Sequence, residues 1–148
     1  MNKCDLLARN VLSRSGFEYC KRGWYRCTEE FLQIINFQKS NWGNQYYINI
    51  GEDFLSGYKS KNNYPPEYKF PMKGRVDNIT IHKEDLDCLD LENKISEEER
   101  ITRIESLIVE CISFLDRIRT KDDFIQEYKS SSLKGFAIYN SFLRAIIK

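Results

Sequence analysis

Histidine-dependent nucleophilic chemistry in this chain is bounded by its single histidine, His82. A Ser-His-Asp or Cys-His mechanism would have to run through it, because imidazole is the side chain that exchanges protons near neutral pH. His82 stands beside Lys83, Glu84 and Asp85, the setting of a solvated surface residue. The five cysteines are Cys4, Cys20, Cys27, Cys88 and Cys111. They form no CxxC pair, and the closest spacing, Cys20 to Cys27, is too wide for a zinc knuckle. Their odd number argues against a disulfide framework and for reduced thiols in a cytoplasm, acting as small core fillers. Asp85, Asp87 and Asp90 resemble part of a calcium loop, but its glycine and terminal glutamate are missing. No GxGxxG, GxxxxGK[ST] or HExxH run occurs. The expectation is no catalytic residue set, no metal and no cofactor.

What remains is chemistry of recognition. One constellation lies on the stretch 31–51, where Gln33, Asn36, Lys39, Trp42 and Asn49 are candidate ligand-binding residues, with Gln38, Asn44, Gln45 and Tyr47 among them. Arg75 is a candidate anion clamp. Amides and aromatics on a sheet face can bind a sugar, a base or a peptide; the same amides can instead satisfy nearby backbone and pin loop geometry. A second constellation interleaves Lys59, Lys61, Lys69 and Lys73 with Tyr58, Tyr64, Tyr68 and Phe70, the mixture used by single-stranded nucleic acid binders. The net charge of only +1 argues against a nucleic acid partner.

That charge is unevenly spread. Residues 1–75 carry 12 Lys/Arg and 7 Asp/Glu, whereas residues 76–148 carry 11 and 15. The stretch Asp77 to Glu99 holds nine carboxylates against Lys83 and Lys94. Asp77, Glu84, Asp85, Asp87, Asp90 and Glu92 are therefore a candidate partner-binding surface, or else a solvated acidic linker leading into a helix. No stretch approaches the roughly 18 apolar residues of a membrane span. The N-terminal residues have neither the apolar run nor the cleavage-like site of a secretory signal.

The elements that must position these residues follow from periodicity. Cys4, Leu7, Ala8 and Val11 mark a helix over residues 3–13. Strands are expected over residues 17–20 and 24–27, joined by a turn at Lys21-Arg22-Gly23. Residues 31–39 do not alternate cleanly: Phe31, Ile35 and Phe37 fall on one face, Leu32 and Ile34 on the other. Apolar residues on both faces imply a central strand covered on both sides. Gly43 and Asn44 suit a hairpin loop, since both tolerate positive φ. A partner strand then runs from Gln45 to Gly51, with Tyr46, Ile48 and Ile50 on one side. Residues 55–75, with three prolines, should be irregular, and residues 76–81 should form a last strand.

The remainder reads as helix. Ser96 and Glu99 fit a capping box. Ile101, Ile104, Ile108, Cys111, Leu115 and Ile118 then step by 3, 4, 3, 4 and 3, one apolar stripe on a helix of about 33 Å. Thr120 to Asp123 offers a second cap before a short helix. Gly135 precedes a last helix carried by Phe136, Tyr139, Leu143 and Ile146. The expected architecture is one α+β domain over 1–148: an N-terminal helix, an antiparallel sheet of about four to five strands within 1–82, and helices within 83–148 packed on the sheet.

The runs Gly16-Phe17, Trp24-Tyr25-Arg26, Phe31 to Ser40, Trp42-Gly43, Tyr47 to Gly51 and Gly74-Arg75-Val76 resemble the bacterial domain of unknown function 4304 family. The resemblance spans roughly residues 4–82 closely and the later helices in outline. It implies a small α+β fold and a bacterial source, and it brings no assigned catalytic residues. It also points to small proteins that neutralise the toxins of competing bacteria. The functional expectation is thus a non-enzymatic, cytoplasmic protein-binding domain, of the immunity type, whose acidic segment covers a basic site on a toxin. The alternative is a small-ligand-binding or enzymatic domain using the polar hairpin.

Overall fold

The computed structural model describes residues 1–58 and 60–147; Lys59, of the basic aromatic segment, lies outside them. Helix α1 (Lys3–Arg14) starts at a reciprocal cap. The Asn2 side chain accepts from the Asp5 amide at 2.9 Å, and the Asp5 carboxylate accepts from the Asn2 amide at 2.9 Å. Six antiparallel strands follow, adjacent in sequence order: β1 (Glu18–Cys20), β2 (Gly23–Cys27), β3 (Phe31–Lys39), β4 (Tyr46–Phe54), β5 (Met72–Arg75) and β6 (Ala137–Ile138). The helices α2 (Glu97–Asp116), α3 (Lys121–Lys129) and α4 (Asn140–Ile146) complete the α+β fold.

Register decides which side chains share a face. β3 pairs with β4 along its full length, from Phe31 opposite Phe54 to Lys39 opposite Tyr46. Side chains alternate along a strand, so Trp24, Phe31, Ile35, Phe37, Ile48 and Ile50 all point one way. They form the main core with Ile104, Ile108, Cys111 and Leu115 of α2. Tyr25, Leu32 and Ile34 point the other way and meet Phe70 in a smaller cluster. That cluster is covered by the segment between β4 and β5, here called the strap. β3 is accordingly buried from Phe31 to Phe37 on both faces, as its two-sided apolar pattern implies. Ser96 caps α2 by accepting from the Glu99 amide at 3.0 Å, but the Glu99 carboxylate turns to Arg103 at 2.8 Å, so only half of the expected box forms. No helix among the described residues is long and apolar enough to cross a membrane.

Several expectations shift. The strand after the strap is Met72–Arg75, and Val76–Asn78 is a 3-10 turn. Val76 and Ile79 lie three apart, so a 3-10 turn presents both to the core, while Ile81 is left exposed. The last helix begins at Asn140, because residues 137–138 instead pair with Met72 and Lys73 of β5. This sixth strand places a β element inside the region expected to be helical. Its docking depends on Gly74: a Cβ there would fall 2.5 Å from the Phe136 ring, which also stacks on Phe114 at 5.0 Å. The hairpin closes with the Ser40 amide on the Gln45 carbonyl at 2.8 Å, and the left-handed residue of the sheet's turns is Lys21, not Gly43 or Asn44.

Candidate functional site

Asn36 stands opposite Asn49, and Asn49 opposite Arg75, in one row across β3, β4 and β5. Their parity turns all three to the strap side of the sheet. The strap covers only part of that side. Phe70 seats against Gly51, where a Cβ would meet the Met72 carbonyl at 3.0 Å, Ile34 at 3.2 Å and Phe70 itself at 3.2 Å. Tyr64 packs on Tyr25 with ring centroids 5.0 Å apart, and the Tyr25 hydroxyl donates to the Pro65 carbonyl at 2.7 Å. Past the Glu67-Tyr68 turn the sheet is open. Two clefts flank that turn, of about 460 Å³ toward Arg22, Asn36 and Lys39 and about 300 Å³ toward Asn49, Lys73 and Arg75; Gln38 lines both.

The amides in this row are fixed by one another. The Asn49 Nδ2 group donates to Asn36 Oδ1 at 2.9 Å and to Gln38 Oε1 at 3.0 Å, and Asn36 Nδ2 donates to the Arg22 carbonyl at 2.7 Å. The Arg75 guanidinium lies over the Tyr47 ring, 4.0 Å from its centroid. Two carboxylates border the clefts. Burial pushes the Asp5 carboxyl up, against hydrogen bonds from the Asn2 amide and from Trp24 Nε1 at 3.0 Å. Burial pushes Glu67 up as well, and the nearby charges of Lys73 and Arg75 pull it back down.

The structure thus brings Asn36, Asn49 and Arg75 into one row, leaves Lys39, of opposite parity, at the border of the larger cleft, and separates the other two candidates. Gln33 shares parity with Phe31 and Ile35 and is buried under the helices. There its Oε1 accepts from Arg26 Nε at 3.1 Å and Nη2 at 2.8 Å, while its Nε2 donates to Glu52 at 2.7 Å and to the Leu115 carbonyl at 2.8 Å. Arg26 reaches on to Asp116 at 2.9 Å. Gln33 is therefore the centre of a buried structural network. Trp42 sits at the hairpin tip, 95% exposed, and lines neither cleft.

The acidic candidates lie on one surface segment. Asp77, Glu84, Asp87 and Glu92 are exposed, while Asp85 and Asp90 are half-buried. Arg100, buried on α2, holds the segment by donating to the carbonyls of Cys88 at 2.6 Å, Asp90 at 3.0 Å and Asn93 at 2.7 Å. The Leu91 amide donates to the Asn44 carbonyl at 3.0 Å, tying the segment to the hairpin. His82 Nδ1 lies 3.5 Å from Glu84 here, away from the clefts. The aromatics of the basic segment are largely turned inward: Tyr58 and Tyr64 pack on the smaller cluster and Lys61 pairs with Glu18, leaving Tyr68 exposed.

Sequence reading missed Arg22 and Glu67 as cleft residues, and it placed Tyr68 and Lys73 in the basic aromatic constellation rather than beside the hairpin amides. Arg22 had a visible signal in its turn adjoining the expected sheet, and Glu67 had none. It also missed the Arg26–Gln33–Glu52 network, whose shared parity with the apolar core residues was the available signal.

A helix-backed antiparallel meander, with one face sealed by helices and the other partly strapped and open to a polar cleft, defines a small α+β domain. Residues 8–134 match the family described as Domain of unknown function (DUF4304), and the chain belongs to that family. The match runs from within α1 through α3 and ends before β6. No curated protein and no solved structure matches the chain.

Proposed function

We propose that this chain is a non-enzymatic binding domain whose recognition site is the strap-side cleft. The observation that carries the reading is the Asn36–Asn49–Gln38 amide chain, locked by internal hydrogen bonds and opening onto clefts of about 460 and 300 Å³. Cavities of several hundred Å³ with a few fixed polar groups are the usual form of small-ligand sites. Polar groups oriented before the ligand arrives also reduce the entropy lost on binding. The test is NMR titration with a panel of polar probes (inorganic phosphate, citrate, glucose), following the amides of Asn36, Gln38, Asn49 and Arg75. Saturable shifts at these positions, lost in Asn49→Ala, are expected. Saturable shifts elsewhere on the protein, with these four unmoved, would overturn the reading.

A second reading is an immunity-type inhibitor acting in a bacterial cytoplasm, where its five free cysteines stay reduced. It is favoured by the acidic segment, whose carboxylates are presented on a loop held by three Arg100 hydrogen bonds. A rigid acidic surface selects and steers toward a basic protein partner. Co-purification with the product of the neighbouring gene, and protection of cells from it, is the expected result; no complex and no protection removes this reading.

A further inference from the structure

We infer that the strap-side cleft takes an anion, its carboxylate or phosphate oxygens held at the Arg75 end, an inference that rests on the cleft being the recognition site. Donors and acceptors around the cleft are unevenly engaged. Asn49 Nδ2 occupies the side-chain oxygens of both Asn36 and Gln38. Trp24 Nε1 and the Asn2 amide occupy the two oxygens of Asp5. These side-chain oxygens are therefore engaged inside the protein, while Asn49 Oδ1 receives no hydrogen bond among the described residues. What still faces the cleft is mostly donor. Arg22 and Lys39 line the larger cleft and Arg75 the smaller, and none of the three has an ion-pair partner within 4.0 Å among the described residues. Lys73 adds a fourth cation, its ammonium fixed on the Tyr68 carbonyl at 2.6 Å.

Arg75 is the best placed to grip an oxyanion. Holding its guanidinium over the Tyr47 ring restricts its rotation while its N–H fork stays available for a two-oxygen acceptor. Glu67 borders both clefts and is the one lining carboxylate without a hydrogen bond or ion pair among the described residues. It is the group an incoming anion must share space with, so it sets an upper limit on affinity and gives the inference its sharpest arm.

The experiment is calorimetric titration of wild type, Arg75→Gln and Glu67→Gln with inorganic phosphate and with citrate at constant ionic strength. Glucose serves as the uncharged probe, and NMR reports the location. Saturable anion binding is expected. Arg75→Gln should weaken it at least about tenfold, the usual effect of losing a charge-assisted hydrogen bond. Glu67→Gln should tighten it about threefold, the effect of removing one repelling charge a few ångströms away in a solvated site. Arg75 is exposed, so its variant should melt with the wild type. Preference for phosphate or for citrate identifies which oxyanion the site is built for. Equal anion binding by wild type and Arg75→Gln, or weaker binding by Glu67→Gln, overturns the inference. If glucose moves the cleft amides and the anions do not, the ligand class is wrong while the cleft stands as the recognition site. If no probe moves them, both fall.

Discussion

Replacing Glu52 by glutamine should flatten the stability of this protein against pH. Glu52 sits on the helix-covered face of β4, fully buried. Its Oε2 accepts from Gln33 Nε2 at 2.7 Å, and its Oε1 has no hydrogen-bond partner among the described residues. The side chains that Arg26 hydrogen-bonds are those of Gln33 and Asp116, so it acts on Glu52 as a charge at a distance and not as a hydrogen-bond donor. Burial outweighs the Gln33 hydrogen bond and the Arg26 charge, and it holds the carboxyl well above its ordinary 4.5. The folded protein thus keeps a proton that the unfolded chain releases above about pH 4.5. Between that point and the raised folded value, unfolding releases a proton, and stability falls by about 1.4 kcal/mol per pH unit. Below both values the term vanishes. A glutamine has the same shape and never ionises. The expected result in urea unfolding is near-equal stability of the two proteins around pH 4, within about 1 kcal/mol for the altered hydrogen bonding. From pH 4.5 upward the variant should gain on wild type by about 1.4 kcal/mol per unit until the folded value is passed. Asp5 and Glu67, also raised by burial, add slopes of the same sign to both proteins and cancel in the difference. Parallel curves would refute the reasoning. So would a variant that loses ground as pH rises, since that would mean an ionised Glu52 stabilised by Arg26.

Arg100→Met should cost about 3 kcal/mol, because it strands three carbonyls near the base of the acidic segment; faster amide exchange around residues 88–93, beside a lowered urea midpoint, is the check. Gly51→Ala should cost about 1–3 kcal/mol by forcing Phe70 and the strap off the sheet, measured by thermal unfolding and by new protease sensitivity in the strap. Burial pushes Cys4 and Cys88 up to about 12 and Cys111 higher still, so an aromatic disulfide reagent near pH 7.5 should label Cys27 and Cys20 in the native protein. The other three should react only on unfolding; native labelling of Cys111 would contradict its burial. Trp42→Ala should change stability by no more than about 0.5 kcal/mol in a thermal melt, since the side chain is 95% exposed.

The parts legible in the sequence were those written as periodicity over many residues. The 3-4 stepping of Ile104, Ile108, Cys111 and Leu115 defines the buried face of α2, and the two-sided apolar pattern of Phe31 to Phe37 defines a strand buried on both faces. The parts that were not legible are held by partners far away in the chain. Met72-Lys73-Gly74-Arg75 alternates over only four residues beside Pro71, and Ala137-Ile138 is shorter still; each is a strand because the neighbouring backbone pairs with it. The candidate site was half legible. Asn36 and Asn49 belonged to the hairpin's visible polar set, and parity alone separates them from Gln33, which falls in step with Phe31 and Ile35. Glu67 and Tyr68 reach the cleft through the path of the strap, which three prolines and a run of 3-10 turns make irregular.

The order of the meander also bears on how the edges of the sheet meet other chains. An unpaired strand edge is a template for another chain, and its danger grows with its length and flatness. Here the two nine-residue strands, β3 and β4, are interior, while the sheet ends in a strand of three residues at one side and two at the other. β2 stops pairing at Ile35, so the far end of β3 extends past it. On that stretch the Phe37 carbonyl is taken by Asn2 Nδ2 at 3.1 Å, and Lys39 adds a charge. The same α1 cap that borders the larger cleft therefore also blunts the place where fibrous self-association would otherwise find a start.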